Sequence, residues 1–338
     1  MKKHKICKIL LVILAIFLCV AFYELLGICV AYKKQPEVSN TTKKETKNGS
    51  WNECSENTER AVIIEKNPEA LLQRVRLIKN AKKEIILSTF AFQSDESGKL
   101  ILGALHDAAD RGVHIRLLVD GMESWIDMEG NPYFYGLSSH ENVEIKLYNK
   151  ANPLKPWKMM GRMHDKYLIA DGKRYILGGR NTYNYFLGDF PGHKNYDRDV
   201  LVVCDEPEKE NSVNQLLEYF ETIWEQEDSG YFHDNKKLAN RKSVKNAVLE
   251  LQNGYQKYFE ENKERICDTD YTDETFETEK IALVSNPIHT GSKEPVVWYQ
   301  LGELMKNAKN RVKIHTPYII CNDMMYNLSL IHISEPTR

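Results

Sequence analysis

The sequence lacks a strong charge of either sign. Its formal net charge is -2 over 338 residues, so no bulk basic field advertises a nucleic-acid partner. It also lacks a cysteine framework. Among its 7 cysteines, Cys7, Cys19 and Cys29 sit in one N-terminal apolar run, and the others are scattered without metal-ligand spacing. That excludes a disulfide scaffold and a zinc site as organising principles. No A-x-A-like cleavage site follows the apolar run, and Ile28 before Cys29 is too bulky for lipoprotein processing. What remains is ordinary for a folded chain: 42% hydrophobic and 10% aromatic residues, in a length suited to about two domains.

Residues 1–34 begin with Met1-Lys2-Lys3-His4-Lys5 and continue, from Ile9 to Tyr32, almost wholly apolar with Glu24 as the one charge. As a helix that run reaches about 36 Å, more than the roughly 30 Å of a bilayer core. An uncleaved single-pass membrane anchor is expected, in a bacterial cell membrane. Its orientation stays open, because lysines flank both ends (Lys2, Lys3, Lys5, Lys8 against Lys33, Lys34). Residues 35–58 are polar and read as a flexible tether.

The folded part begins near residue 59. Pro68 to Asn80 has helical spacing through Leu71, Leu72, Val75 and Ile78. Glu84 to Phe92 reads as a buried strand. A helix follows from Ser97-Gly98 to Asp110, with Gly112 just past its end. Val113–Val119, Val143–Tyr148 and Leu201–Cys204 read as further strands, and Val213–Trp224 as a helix. Strands alternating with helices predict an α/β fold with a mixed, mainly parallel sheet flanked by helices over 59–227. Residues 228–278 are rich in Lys, Glu, Asn and Asp and read as a charged, solvated helical connector.

One stretch concentrates chemistry: Met163-His164-Asp165-Lys166-Tyr167-Leu168-Ile169-Ala170-Asp171, then Gly178-Gly179-Arg180-Asn181. Tyr167 to Ala170 is a short apolar strand. His164 and Lys166, two apart in extended chain, face one side. Asp171-Gly172 signals a tight hairpin, with Arg174–Leu177 returning. Gly178-Gly179 removes side chains where the backbone passes close to something, and Asn181 follows as a neutral donor. A nucleophile, a cation and an amide at one hairpin end suit phosphoryl transfer. Taken singly, each piece is commonplace: a histidine beside a strand is usually structural, and Asp-Gly usually only turns the chain. The joint spacing is what distinguishes them.

That spacing resembles the phospholipase D superfamily signature H-x-K-x4-D-x6-G-[GS]-x-N. The resemblance implies His164 as the nucleophile that forms a phosphohistidine, and Lys166, Gly179 and Asn181 as the phosphate-binding group. Asp171 completes the catalytic motif in a mainly structural role. It also implies a later carboxylate that orients the imidazole. Asp199 is preferred because it directly starts an apolar strand, with Asp197 as the alternative. No metal and no cofactor are implied, since Lys166, Asn181 and second-half counterparts would neutralise the phosphate. Phe92 to Gly98 and Ala108 to Val113 resemble the cardiolipin synthase-like branch in particular.

An internal echo supports two pseudo-repeats. Leu77-Ile78-Lys79-Asn80-Ala81-Lys82 recurs as Leu304-Met305-Lys306-Asn307-Ala308-Lys309, offset by 227 residues, and the strands that follow match in type (Glu84–Thr89, Arg311–Thr316). Ile314-His315-Thr316-Pro317-Tyr318 resembles the opening strand of a second half. A second His-x-Lys motif is then expected near position 391, past Arg338. Residues 279–327 read as the start of that half. Residues 328–338 resemble a translated sequencing adapter and are expected to be an artefactual tail.

The resemblance implies a membrane-anchored phosphatidyltransferase or phospholipase acting on phospholipid, with phosphatidylglycerol as the expected substrate. These residues alone are expected to be inactive, because half a site leaves the leaving group without its acid. Two alternatives are a single-motif nuclease-type phosphodiesterase completed by homodimerisation and a catalytically silent membrane-bound binding protein. Lys155, Lys158 and Arg162 before the motif suit lipid headgroups or nucleic-acid phosphates equally.

Overall fold

The computed structural model of the protein describes residues 2–48, 59–207, 210–233 and 235–314. They fall into two compact units: one within residues 2–34, 59–283 and 288–292, the other within residues 35–48, 284–287 and 293–314. The first opens with helix α1 (Lys2–Ala31). Its apolar side chains stay exposed, Phe17 by 66% and Phe22 by 67%. Helix α2 (Asn40–Asn48) belongs to the second unit.

The sheet follows. Strand β1 (Arg60–Ile64) leads to α3 (Asn67–Asn80), which has Pro68 in its first turn, where a missing N–H costs nothing. Then come β2 (Glu84–Thr89), α4 (Glu96–Asp110) and β3 (His114–Asp120). Asp95 caps α4 by accepting from Gly98 N–H at 3.0 Å. Gly112, at φ +87°, takes the left-handed turn that ends it. Short helices α5 (Gly121–Asp127) and α6 (Pro132–Ser138) precede β4 (Val143–Tyr148). The hairpin is β5 (Tyr167–Ala170) and β6 (Arg174–Gly178). After β7 (Asp199–Val203) come α7 (Ser212–Trp224), β8 (Ser229–Tyr231), α8 (Lys242–Glu261), α9 (Lys263–Cys267) and β9 (Phe276–Glu277).

The strands form one sheet in the order β8-β4-β3-β2-β5-β6-β7-β1-β9. Only β2–β3 and β3–β4 pair in parallel. The other pairings, from β4–β8 through β2–β5, β5–β6 and β6–β7 to β1–β7 and β1–β9, are antiparallel. The sheet is therefore mixed rather than mainly parallel. The reason lies in the connections. Helical crossovers join neighbouring strands only from β2 to β3 and from β3 to β4, whereas the motif hairpin and the return to β7 reverse the chain.

Alternation along the strands feeds two cores. Ile85, Leu87, Leu168, Ile176 and Leu201 face α3 and α4, and Ile86, Tyr167, Ile169, Tyr175 and Val202 face α7. Helix α8 corrects the reading of 228–278 as a solvated connector. Val244, Ala247, Leu251, Tyr255 and Phe259 form a buried stripe along it. The helix lies so close to α4 that a Cβ on Gly103 would meet Leu251 O and Tyr255 Cβ at 2.7 Å. Its many charges occupy only the outer face.

In the second unit the expected tether is partly helical. Ser39 Oγ accepts from Thr42 N–H at 3.1 Å, and Glu294 Oε1 accepts from Ser39 N–H at 2.8 Å and from the Thr42 hydroxyl at 2.7 Å. Helix α10 (Val296–Lys306) ends at a cap on Asn307. The sequence echo thus falls at the ends of two helices, α3 and α10. Residues 311–314 form no strand. The expected second-half strand from His315 onward and the tail at 328–338 lie outside the described residues.

Candidate active site

The approach to β5 is extended, and its side chains alternate. Met163 is buried, with its N–H donating to Asp120 Oδ2 at 3.1 Å. Asp165 accepts from the Tyr219 hydroxyl of α7 at 2.7 Å. His164 and Lys166 take the opposite side, as expected.

His164 is exposed, but its ring is crowded on one side. The Phe90 ring packs edge-on against it, centroids 4.5 Å apart. Desolvation by these neighbours, then the positive charges of Lys166 and Arg162, push the imidazole pKa below its ordinary value, against an opposite pull from Asp120. The ring is therefore neutral near pH 7 and keeps a lone pair. Lys166 is buried, and its Nζ donates to His164 O at 2.6 Å. Burial brings its pKa down to about 8, while Asp165 and Asp197 pull it up. Phe90 lies beneath both cations, 5.0 Å from the Arg162 guanidinium and 5.4 Å from Lys166 Nζ.

Asn181 is buried just past β6. Its Oδ1 accepts from Ala91 N–H at 3.2 Å, which leaves Nδ2 as its donor end. The backbone there is stitched to the extension of β2, Thr182 N–H to Ala91 O at 3.1 Å and Gln93 N–H to Thr182 O at 3.2 Å. Gly178 N–H donates to Lys166 O at 3.1 Å, so the end of β6 sits beside the cation.

The glycine pair has an identifiable cause. A Cβ on Gly178 would lie 2.0 Å from Asp199 Oδ1, and one on Gly179 would lie 2.0 Å from Asp197 Oδ2. The space above Gly179, expected to hold phosphate, is taken by that carboxylate. Asp199 also departs from expectation. It is buried, with Oδ2 paired to Arg74 at 2.9 Å and to Arg180 at 3.2 Å. Neither it nor Asp197 hydrogen-bonds the His164 ring. Arg180 additionally donates to Ile64 O, Glu65 O, Asn67 Oδ1 and Asp197 O, fastening β1 to the motif.

Asp171 stands at the far end of β5. It sits at φ +55°, followed by Gly172 at φ +63°, in the primed turn the hairpin needs. Its carboxylate accepts from the N–H groups of Lys82, Lys83 and Glu84, the entry to β2. It holds two strands in register and is not part of the reacting group. Arg162 is likewise occupied: it pairs with Asp120 at 2.6 Å and Glu123 at 3.1 Å. Lys158 pairs with Asp228 at 2.7 Å.

Sequence reasoning missed Phe90, Arg74 and Arg180. Phe90 resembles any strand residue, and Arg74 is 125 positions from its partner. Arg180 had a usable signal, since a cation inside the motif implies a nearby buried carboxylate.

Comparisons with known proteins show what part of the chain resembles. Residues 74–224 match the family described as cardiolipin synthase, PLD-like domain. An uncharacterized protein of Helicobacter pylori is 28% identical over 303 residues, 81% of this chain and 57% of that one. Cardiolipin synthase C of Escherichia coli is 29% identical over 171 residues, 46% of this chain and 34% of that one. The chain thus spans about half or less of the length of these curated relatives. The structure of NucT from Helicobacter pylori aligns at a TM-score of 0.41 and 17% identity, covering 52% of this chain and 99% of NucT. Residues 74–224, which hold the motif and strands β2 to β7, therefore form a phospholipase D superfamily domain of the cardiolipin synthase-like branch.

Proposed function

We propose that this domain forms a phosphatidyl–enzyme on His164 and serves a cardiolipin synthase-like transfer between phospholipids, with phosphatidylglycerol as donor. One imidazole nitrogen attacks phosphorus, an N–P bond forms, and the bond to the departing glycerol oxygen breaks. A second lipid hydroxyl, or water, then takes the phosphatidyl group and restores the ring. Two steps replace one difficult displacement. Lys166 and the Asn181 amide hold the phosphate oxygens. Asp199 acts as a positioning residue that fixes the end of β7 against β6. The departing glycerol needs a proton, and its source is a second His-x-Lys motif, from a second pseudo-repeat or a second copy of the chain. The long exposed apolar run of α1 anchors the domain at its substrate.

The observation that carries this reading is the accessible neutral imidazole two residues from a buried ammonium, with the buried amide of Asn181 just past the paired strand β6. The test uses a donor that needs no acid. Phosphatidyl-p-nitrophenol should release one burst of p-nitrophenolate and leave His164 labelled, detected by mass spectrometry. Phosphatidylglycerol should not turn over with this chain alone, and His164→Ala should abolish the burst. Absence of label from the activated lipid would sink the proposal. Turnover of single-stranded DNA, second order in chain concentration, would instead establish the dimeric nuclease reading, which the presence of one His-x-Lys motif in the sequence keeps open.

A further inference from the structure

We infer that the loop from Asn149 to Arg162, between β4 and the nucleophile, is a membrane-interface lip that inserts Leu154, Trp157 and Met160 into the headgroup layer of an anionic bilayer. The inference rests on α1 being a membrane anchor.

These three side chains are 77%, 45% and 57% exposed. They recur every third residue about the 3₁₀ turn Pro156–Lys158, whose period is three. The loop presenting them is tightly closed. Asn149, at φ +52°, donates its amide to Lys158 O at 2.7 Å and to Gly161 O at 2.8 Å. Asn152 caps Leu154 N–H at 2.9 Å, and the Lys158–Asp228 pair ties the turn to the body. The loop backbone is thus built while its large apolar side chains face outward. That combination suits an apolar or interfacial partner.

Contact with α1 says which partner. The Tyr23 hydroxyl donates to Leu154 O at 3.0 Å. A Cβ on Gly27 would lie 2.5 Å from Pro156 Cγ, so the helix backbone rests on the turn. Tyr32, at the end of the helix, donates to Thr290 O at 2.6 Å, and the Thr290 backbone lies against Gly161. The helix is longer than a bilayer requires. Counted from Ile9, where the apolar run begins, the ~20 residues needed to cross the hydrocarbon core end near Ile28. Gly27 and Pro156 then stand at the hydrocarbon edge, with Trp157 beside them, and Tyr23 with Leu154 about 6 Å further in. Tyrosine and tryptophan are the residues that belong at this level. Lys33, Lys34 and Lys155 are exposed here and match anionic headgroups. The lip ends two residues before His164, so its depth sets the height of the nucleophile above the lipid phosphates.

The experiment reconstitutes the full chain in phosphatidylethanolamine–phosphatidylglycerol vesicles carrying lipids brominated near the glycerol or near the chain end. Trp157→Phe should lose most of the tryptophan quenching by the shallow bromines and little of that by the deep ones. A second variant keeps Trp157 and replaces Leu154 and Met160 with Glu. It should red-shift the emission and lose the same quenching while staying with the vesicles. If the chain resists carbonate extraction yet Trp157 is not quenched, α1 anchors the protein and the lip proposal is overturned, the surface being free for a protein partner. If carbonate strips the chain from the vesicles, the anchor reading itself fails and the lip falls with it.

Discussion

The two ends of β5 make the instructive contrast. At one end stand His164 and Lys166, one accessible and one buried but unshielded by any carboxylate hydrogen bond, with pKa values displaced by burial. At the other stands Asp171, its oxygens used up on three backbone N–H groups. Four strand residues separate chemistry from architecture. A contiguous signature therefore need not be a contiguous site. The same 18 residues, His164 to Asn181, must form a hairpin before they can present a nucleophile, and some of them serve only the hairpin.

That contrast can be broken by substitution. The largest effect belongs to His164→Ala, expected to reduce the labelling burst by at least ~1,000-fold, about 4 kcal/mol of barrier, with no change in denaturation midpoint. Next is Asp199→Ala, which leaves Arg74 and Arg180 facing each other in the interior. It should cost about 3–5 kcal/mol of stability, read by chemical denaturation in detergent. Asp171→Ala should cost about 1–2 kcal/mol, from lost N–H acceptors and an alanine at positive φ, yet leave the burst per folded molecule unchanged. A burst lost in step with His164→Ala would return Asp171 to the reacting group.

The mildest probe is pH. The lowered His164 pKa puts the acid limb of the burst profile below the ordinary histidine range, because the ring must be neutral to attack. Lys166 holds its proton only up to about 8, so phosphate binding should weaken as pH rises through that value. Lys166→Arg should remove the alkaline limb, whatever it does to the plateau. A limb that stays in place would assign it to another group.

Much of this was legible in the chain. The hairpin, the primed turn at Asp171-Gly172, strand β4 and helix α7 follow from local pattern and turn chemistry, and His164 and Lys166 share one side of the chain as their spacing says. What was not legible is long-range. The order of strands is set by which edges remain open, and nothing in β5 announces that β2 will be its antiparallel neighbour. The buried stripe of α8 recurs at helical spacing, but Lys, Glu and Asn between its members mask it in any composition window. Asp199 looked free to orient a histidine because its two arginines are supplied by α3 and by the variable position between Gly179 and Asn181.

Asp120 closes the picture. Its two oxygens receive the Arg162 guanidinium, Met163 N–H, Met122 N–H and Glu123 N–H. The end of β3, the first turn of α5 and the chain entering β5 therefore converge on a single carboxylate. The nucleophile is suspended from this knot rather than embedded in the sheet. Its position is inherited from a residue that never touches it, and mutations in α5 or in the loop before the motif can detune the site while every signature residue remains intact.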